Sequence, residues 1–261
     1  MRKLIIFMIM IAALGFTSPT EDAKTIIYKT FTINKMAGTE SVTQLTIKDN
    51  KGRVRKRKIA IATKLYDNGK TEKKIIRFLE PADVKGTSML TFDYRVKDDD
   101  MWIYLPALRK TRRIVSSEKG KSFMGSEFSN ADMVMPTIDD FTYKMLKASV
   151  MVGTVDCWNI QITAKDEDIA DEYGYLKRIV WIGKKDYVIR KAKVYDIEGE
   201  HLKTMTVKAV KMVDLKNKKS VPTHMEVKNV QNGRSSVMKM DKIIFNPNVK
   251  DEYFTVSYLE K

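Results

Sequence analysis

Apolar and polar residues alternate with a period of two along most of the chain, from Ser41 to Phe245, and short turn signals break the alternation at intervals. A period of two puts successive side chains on opposite faces of an extended strand, so the pattern predicts antiparallel β-structure. Strands are expected over 41–49, 53–66, 71–79, 86–96, 101–105 and 108–115, and again over 143–152, 155–166, 176–183, 188–195, 201–214, 221–230 and 235–245. Turn signals such as Asp67-Asn68-Gly69, Asp98-Asp99-Asp100 and Gln231-Asn232-Gly233 separate them. Two regions depart from this rhythm. Over 23–36, Ile26, Ile27, Thr30, Phe31, Ile33 and Met36 fall near one helical face, although their β-branched content also permits a strand. Over 116–140 the alternation stops, and Gly120, Gly125 and Pro136 divide the segment into short helix-like pieces at 126–133 and 137–141. Residues 248–258 read as a short helix and a final extended piece. No repeat or flexible linker interrupts the run, so a single continuous sheet of ten or more strands is expected. Such a sheet must close, split or be covered.

Ahead of the sheet, Arg2 and Lys3 precede an apolar run from Leu4 to Leu14, then small residues at Gly15, Thr17 and Ser18 and a polar start at Glu21. This order is that of a secretory signal, with cleavage expected between residues 15 and 23. The run falls short of the ~20 apolar residues that a spanning helix needs. A retained anchor is the alternative. The chain is therefore divided into a signal over 1–20 and one domain over 21–261. With no cysteine near the cleavage region, no lipid anchor is expected. Cys157 is the sole cysteine of the sequence, so no internal disulfide can form.

Composition narrows the partners. The 48 Lys and Arg residues exceed the 33 Asp and Glu by enough to give a net charge of +15. A basic exported protein favours phospholipid headgroups, acidic glycolipid or acidic polymer, and nucleic acid is not an expected partner. Dispersed lysines also serve solubility. Two basic clusters stand out. In 51–58, Arg53, Arg55 and Arg57 share a strand face with Ile59 and Ile61, which suits either a charge-protected edge or a headgroup contact. Arg109, Lys110, Arg112 and Arg113 follow an aromatic strand and are the candidates for headgroup or membrane contact.

Catalytic chemistry finds little to build on. His201 and His224 have no neighbour at metal-ligand spacing, and the acidic set from Asp166 to Glu172 lacks a calcium-loop pattern and reads as a solvated hairpin tip. No nucleophile elbow or phosphate loop occurs, so no catalytic residue, metal or cofactor is expected. The apolar positions are more informative. Candidate cavity-lining residues are Leu90, Phe92, Trp102, Tyr104, Leu105, Phe123, Phe128, Met133 and Met135. Methionine in particular adapts to variable apolar ligands. Alternation leaves open which face of 101–105 looks inward, because Met101, Ile103 and Leu105 are as apolar as Trp102 and Tyr104.

Several of these residues carry a family resemblance. Lys85-Gly86-Thr87, the stretch from Trp102 through Pro106 to Lys110, Arg113-Ile114 and Gly125-Ser126-Glu127-Phe128 resemble the outer-membrane lipoprotein-sorting protein family, which groups with LolA/LolB-like carriers. Weaker similarity runs through Val155-Asp156-Cys157-Trp158, Tyr187 to Tyr195 and Phe254-Thr255. The resemblance implies a mainly β fold, an antiparallel sheet curled into an incomplete, half-open barrel covered by a few helices, acting in the periplasm on lipid or lipoprotein acyl chains. It further implies a monomeric carrier or chaperone that serves transfer toward the outer membrane. An accessory or lipid-sensing subunit of an exporter of the resistance-nodulation-division type, or of a signalling system, is the alternative, with an inner-membrane transporter as partner. Ser129-Asn130-Ala131-Asp132-Met133 departs from the acidic and aromatic continuation usual in the family.

Overall fold

The computed structural model describes residues 21–95 and 97–261. The segment read as an export signal lies outside the described residues, as does Val96, the last residue of the strand expected over 86–96. A short helix α1 (Ala23–Thr32) opens the described chain, capped by Asp22, whose carboxylate accepts the Thr25 N–H at 3.0 Å. It ends four residues before the expected limit.

Thirteen strands follow: β1 (Gly38–Lys48), β2 (Val54–Tyr66), β3 (Thr71–Glu80), β4 (Ser88–Tyr94), β5 (Asp100–Leu105), β6 (Lys110–Ile114), β7 (Phe141–Val152), β8 (Val155–Ala164), β9 (Lys177–Gly183), β10 (Ile189–Tyr195), β11 (His201–Asp214), β12 (Lys219–Asn229) and β13 (Ser235–Phe245). They form one antiparallel sheet in the order β6-β5-β4-β3-β2-β1-β13-β12-β11-β10-β9-β8-β7. Two meanders therefore meet where β1 pairs with β13, and β6 and β7 are the free edges. The sheet does not close into a barrel.

Chain connectivity explains the plug. Because β6 and β7 are consecutive in sequence but at opposite edges, residues 115–140 must travel from one edge to the other. They do so across one face of the sheet. Met133 accepts a hydrogen bond from Lys74 Nζ of β3 at 2.6 Å, while its neighbour Asp132 accepts one from Arg178 of β9 at 2.9 Å. Those strands are seven spacings apart, roughly 34 Å on a flat sheet at about 4.8 Å per strand. Only a strongly curled sheet lets both reach adjacent residues, so the plugged face is the concave one. The half-open barrel implied by the family resemblance is the observed architecture.

The inward positions form two clusters. Ile26 and Ile27 of α1 pack on Ile160, Ile162, Val180 and Ile182, while Leu45, Ile47, Ile59, Ile76 and Phe78 pack under Phe123 and Phe128 of the plug. A third cluster lies on the convex side. There two 3₁₀ turns, Asp251–Phe254 and Val256–Glu260, form a C-terminal strap over Ala62, Ile75 and Leu90.

Three expectations need correction, the first at the C-terminus, where the expected final extended piece is instead the 3₁₀ turn Val256–Glu260. The acidic residues from Asp166 onward are not a hairpin tip but a short helix α2 (Glu167–Tyr173), with Asp166 as its N-cap and Gly174 as a left-handed C-cap at φ 71°. Gly120 touches Gly174 so closely that a Cβ on Gly120 would stand 2.7 Å from the Gly174 nitrogen, which fixes the plug against α2. The plug itself holds 3₁₀ turns at Phe123–Gly125, Asn130–Met133 and Ile138–Asp140, not the longer helix-like piece expected over 126–133. The basic start of β2 is an overhang. Arg55 pairs with Ile47 of β1, but pairing with β3 begins only at Lys58, so the cations guard an otherwise open strand end.

Candidate functional site

The concave face encloses a cavity of about 410 Å³ between the sheet, the end of α1 and the plug. Strand alternation builds its wall. Ile61 of β2, Ile76 of β3, Met205 of β11, Met225 of β12, and Met238 and Met240 of β13 all point inward, joined by Met36 after α1 and by Met133 and Met135 of the plug. Seven methionines thus line one cavity. Their unbranched, polarisable side chains re-pack at low cost around apolar matter of varying shape.

One end of the cavity is charged. Lys35 Nζ reaches Glu72 at 3.0 Å and Asp93 at 3.3 Å, and Asp93 also accepts the Met135 N–H at 3.1 Å. Burial opposes charge on Lys35 and Glu72, but each more than compensates for the other. Glu72 and Asp93 hold the Lys35 ammonium above its ordinary value, and Lys35 and Lys74 hold Glu72 below the usual carboxylate range. Asp93 behaves differently: burial pushes it up, Lys35 only partly offsets that, and Glu72 adds to the rise. Asp99 nearby is pushed up to about 7 by burial and by Asp93. One carboxylate oxygen of Asp93 has no hydrogen-bond partner although the side chain is only 6% exposed.

The plug is held by buried polar contacts. Asp132 receives Arg178 and also Lys203, the latter at 3.3 Å; burial would raise its carboxyl, but the two cations hold it well below the usual range. Glu127 of the Gly125-Ser126-Glu127-Phe128 motif pairs with Arg234 at 2.9 Å and accepts from Asn229 at 3.0 Å, while its N–H donates to Ser236 Oγ at 3.0 Å. Gly125 sits at φ +75°, after Met124 at φ 51°, a reversal that turns the motif onto β12 and β13.

Of the residues singled out in the sequence, Met133 and Met135 line the cavity. Phe123 and Phe128, 1% and 2% exposed, form the core of the plug, with Phe123 against Phe78 at 6.0 Å. Leu90, Phe92, Trp102 and Tyr104 occupy the convex face, beneath the strap. The open question about 101–105 is answered there: Met101 and Ile103 face inward, and Trp102 and Tyr104 outward. Leu105 lies outside the cavity lining. Among the cations, Arg112 pairs with Glu118 at 2.7 Å and Arg113 with Asp100, whereas Arg109 and Lys110 are exposed beside Leu108, itself 68% exposed. Sequence reasoning missed the methionines of β11 to β13 and the Lys35–Glu72–Asp93 cluster. The spacing of Met238 and Met240 at i and i+2 was the signal for the first. Glu72 and Lys74 sharing a strand face with Ile76 and Phe78 was the signal for the second.

Cys157 is fully buried and its thiol is pushed up by burial, as suits a packing residue. Among the described residues, no group of three or more His, Cys, Asp or Glu side chains is placed to hold a metal ion, and no helix is long and apolar enough to cross a membrane.

A family model described as "-like: Uncharacterized protein" matches residues 70–261. No protein of curated function matches the sequence. Among solved structures, a domain named for outer membrane lipoprotein sorting from Vibrio parahaemolyticus superposes with a TM-score of 0.82 at 26% identity, over 92% of this chain and 98% of the other. A DUF1329 family protein from Desulfovibrio piger gives 0.82 at 28% identity, over 90% and 97%. A LolA superfamily protein from Nitrosomonas europaea shares the fold, with a TM-score of 0.67 at 18% identity over 90% and 98%. The chain thus belongs to the family whose model spans residues 70–261, and it shares its fold with solved structures of an outer membrane lipoprotein-sorting domain, a DUF1329 family protein and a LolA superfamily protein.

Proposed function

We propose that this protein is a periplasmic carrier that shields the acyl chains of a lipoprotein or lipid in the concave cavity, for transfer toward the outer membrane. The observation that carries this reading is a cavity of about 410 Å³ with seven methionines in its wall and a charged cluster at one end. Such a lining matches an amphiphile: chain against methionine, headgroup toward Lys35, Glu72 and Asp93. Each methylene taken from water contributes ~0.8 kcal/mol, so one long chain supplies useful affinity without an irreversible site. The exposed Leu108, Arg109 and Lys110 form a tip suited to an anionic membrane surface. The carrier acts as a monomer, without catalysis or cofactor, after export by the N-terminal signal.

Native mass spectrometry of protein purified from a membrane-containing host tests this, together with uptake of a fluorescent fatty acid. Bound lipid and saturable uptake are expected. Protein that is reproducibly lipid-free and takes up no probe refutes a carrier. Stable co-purification with one exporter or signalling protein, without lipid transfer, selects the accessory-subunit alternative.

A further inference from the structure

The convex face carries a second apolar depression, on the opposite side of the sheet from the concave cavity. It lies between β13, β1, β2, β3 and the C-terminal strap, and its volume is also about 410 Å³. Strand register shows how it arises. Ile244, Glu40, Ala62 and Ile75 form one row across the four strands, and Lys242, Val42, Ala60 and Arg77 form the next. Both β2 positions are alanine, flanked by larger residues, and this leaves a hollow in the middle of the rows. Tyr253 and Tyr258, with ring centroids 5.0 Å apart, wall it on the side of the strap. Ile244 at its edge remains 43% exposed.

Charge is graded along the hollow. The first row is apolar apart from Glu40, whose carboxylate accepts from Asn246 Nδ2 at 2.7 Å. Cations flank the second row. Arg77 lies over the Tyr258 ring at 4.9 Å, donating to the Tyr258 carbonyl at 2.7 Å and to Ser88 Oγ at 3.1 Å. Those bonds use two of the five guanidinium donors. Lys242 is exposed and forms no ion pair among the described residues. Beyond it, the third row places Lys239 and Lys58 on either side of Gln44; Lys58 reaches Glu80 at 3.6 Å, and Lys239 is exposed. An apolar trough that runs out into cations is complementary to a single chain ending in an anion.

We propose that this convex hollow is a binding site for a long-chain fatty acid, its chain against Val42, Ala60, Ala62, Ile75 and Ile244 and its carboxylate toward Arg77 and Lys242. Myristate titrated into the delipidated full chain, followed by calorimetry, tests the site. Two equivalents are expected, one for each face. Ala62→Trp fills the hollow and removes one equivalent; Met238→Trp fills the concave cavity and removes the other, so each site is read independently. Lys242→Glu weakens the convex equivalent by about tenfold, the size of one charge-assisted hydrogen bond. Circular dichroism verifies folding, and Ile244→Asp, at an exposed position, replaces Ala62→Trp if that variant does not fold. Loss of one equivalent in Ala62→Trp supports the convex site whether the unaltered chain binds one or two. Binding unchanged in a folded Ala62→Trp or Ile244→Asp variant, a lone equivalent abolished only by Met238→Trp, or no binding at all overturns the proposal; the second of these leaves the concave reading standing.

Discussion

The two faces of β4 and β5 use the same strands for opposite ends. Outward, Phe92 meets Trp102 edge-on at 5.1 Å and 70°, and Leu90 is fully buried beneath the strap. Inward, Met89 and Met101 join the methionines and aliphatic residues that border the plug. Aromatic rings lose few rotamers on packing and hold defined geometries, so the outward layer is a permanent joint. Methionine accepts many shapes, which lets Met89 and Met101, 2% and 1% exposed, fill the irregular gap beneath the plug, while the seven other methionines border the cavity. Apolar character alone does not distinguish a core from a ligand wall.

The largest expected effect attacks the joint. Phe254, 2% exposed and edge-on to Tyr66 at 6.1 Å, is the strap's main anchor. Phe254→Ala should destabilise the fold by about 4 kcal/mol in urea unfolding while leaving the concave cavity's affinity for fatty acid unchanged. A parallel loss of affinity in the folded variant would show that the faces are coupled.

Next in size is the plug. Asp132→Asn leaves Arg178 and Lys203 buried without a carboxylate, and about 3 kcal/mol of stability should go. The sign with pH follows from the direction of its shift. A carboxyl held below its ordinary value contributes fully above about pH 4, and that contribution fades as the pH falls further. Melting curves between pH 6 and pH 3 should therefore show a steeper acid limb for the unaltered chain than for the variant.

On the inward wall the expected change is in binding. Met240→Asp puts a charge among the methionines at a partly exposed position. The affinity for a fluorescent fatty acid should drop about tenfold, a loss of about 1.4 kcal/mol, with the urea midpoint nearly unmoved. A large fall in stability instead would make that wall ordinary core. Smallest is Gly125→Ala, which forces a side chain into a left-handed conformation at a position with no steric crowding. It should cost about 1 kcal/mol, visible as a shift of the thermal midpoint.

Much of the fold was legible because the period of two is set by strand geometry itself. Every expected strand from 41 to 245 is present, and the signals at Asp67-Asn68-Gly69 and Gln231-Asn232-Gly233 fall between the strand pairs they were expected to separate. That the sheet curls was expected from its strand number and from the family resemblance, but what holds the curl was not legible. It depends on the contacts of Lys74, Arg178 and Lys203 with residues 132–133, far apart in sequence and joined only in three dimensions. The face of 101–105 was undetermined for a related reason: both of its faces are buried, one by the plug and the other by the strap. Two-sided burial erases the polar half of the alternation on which such a choice depends. Met133 and Met135 were identifiable since methionine interrupts an irregular segment there, whereas Met205 and Met225 were hidden inside regular strands.

The connector between β6 and β7 has a mechanical consequence. A closed barrel has a circumference fixed by its seam, but this sheet has two loose margins and a strut between its flanks, fastened to β3 through Lys74 and to β9 and β11 through Asp132. The strut ties the two flanks through side-chain contacts that are separate from the backbone ladders, so the arch is braced twice, once along the sheet and once across its mouth.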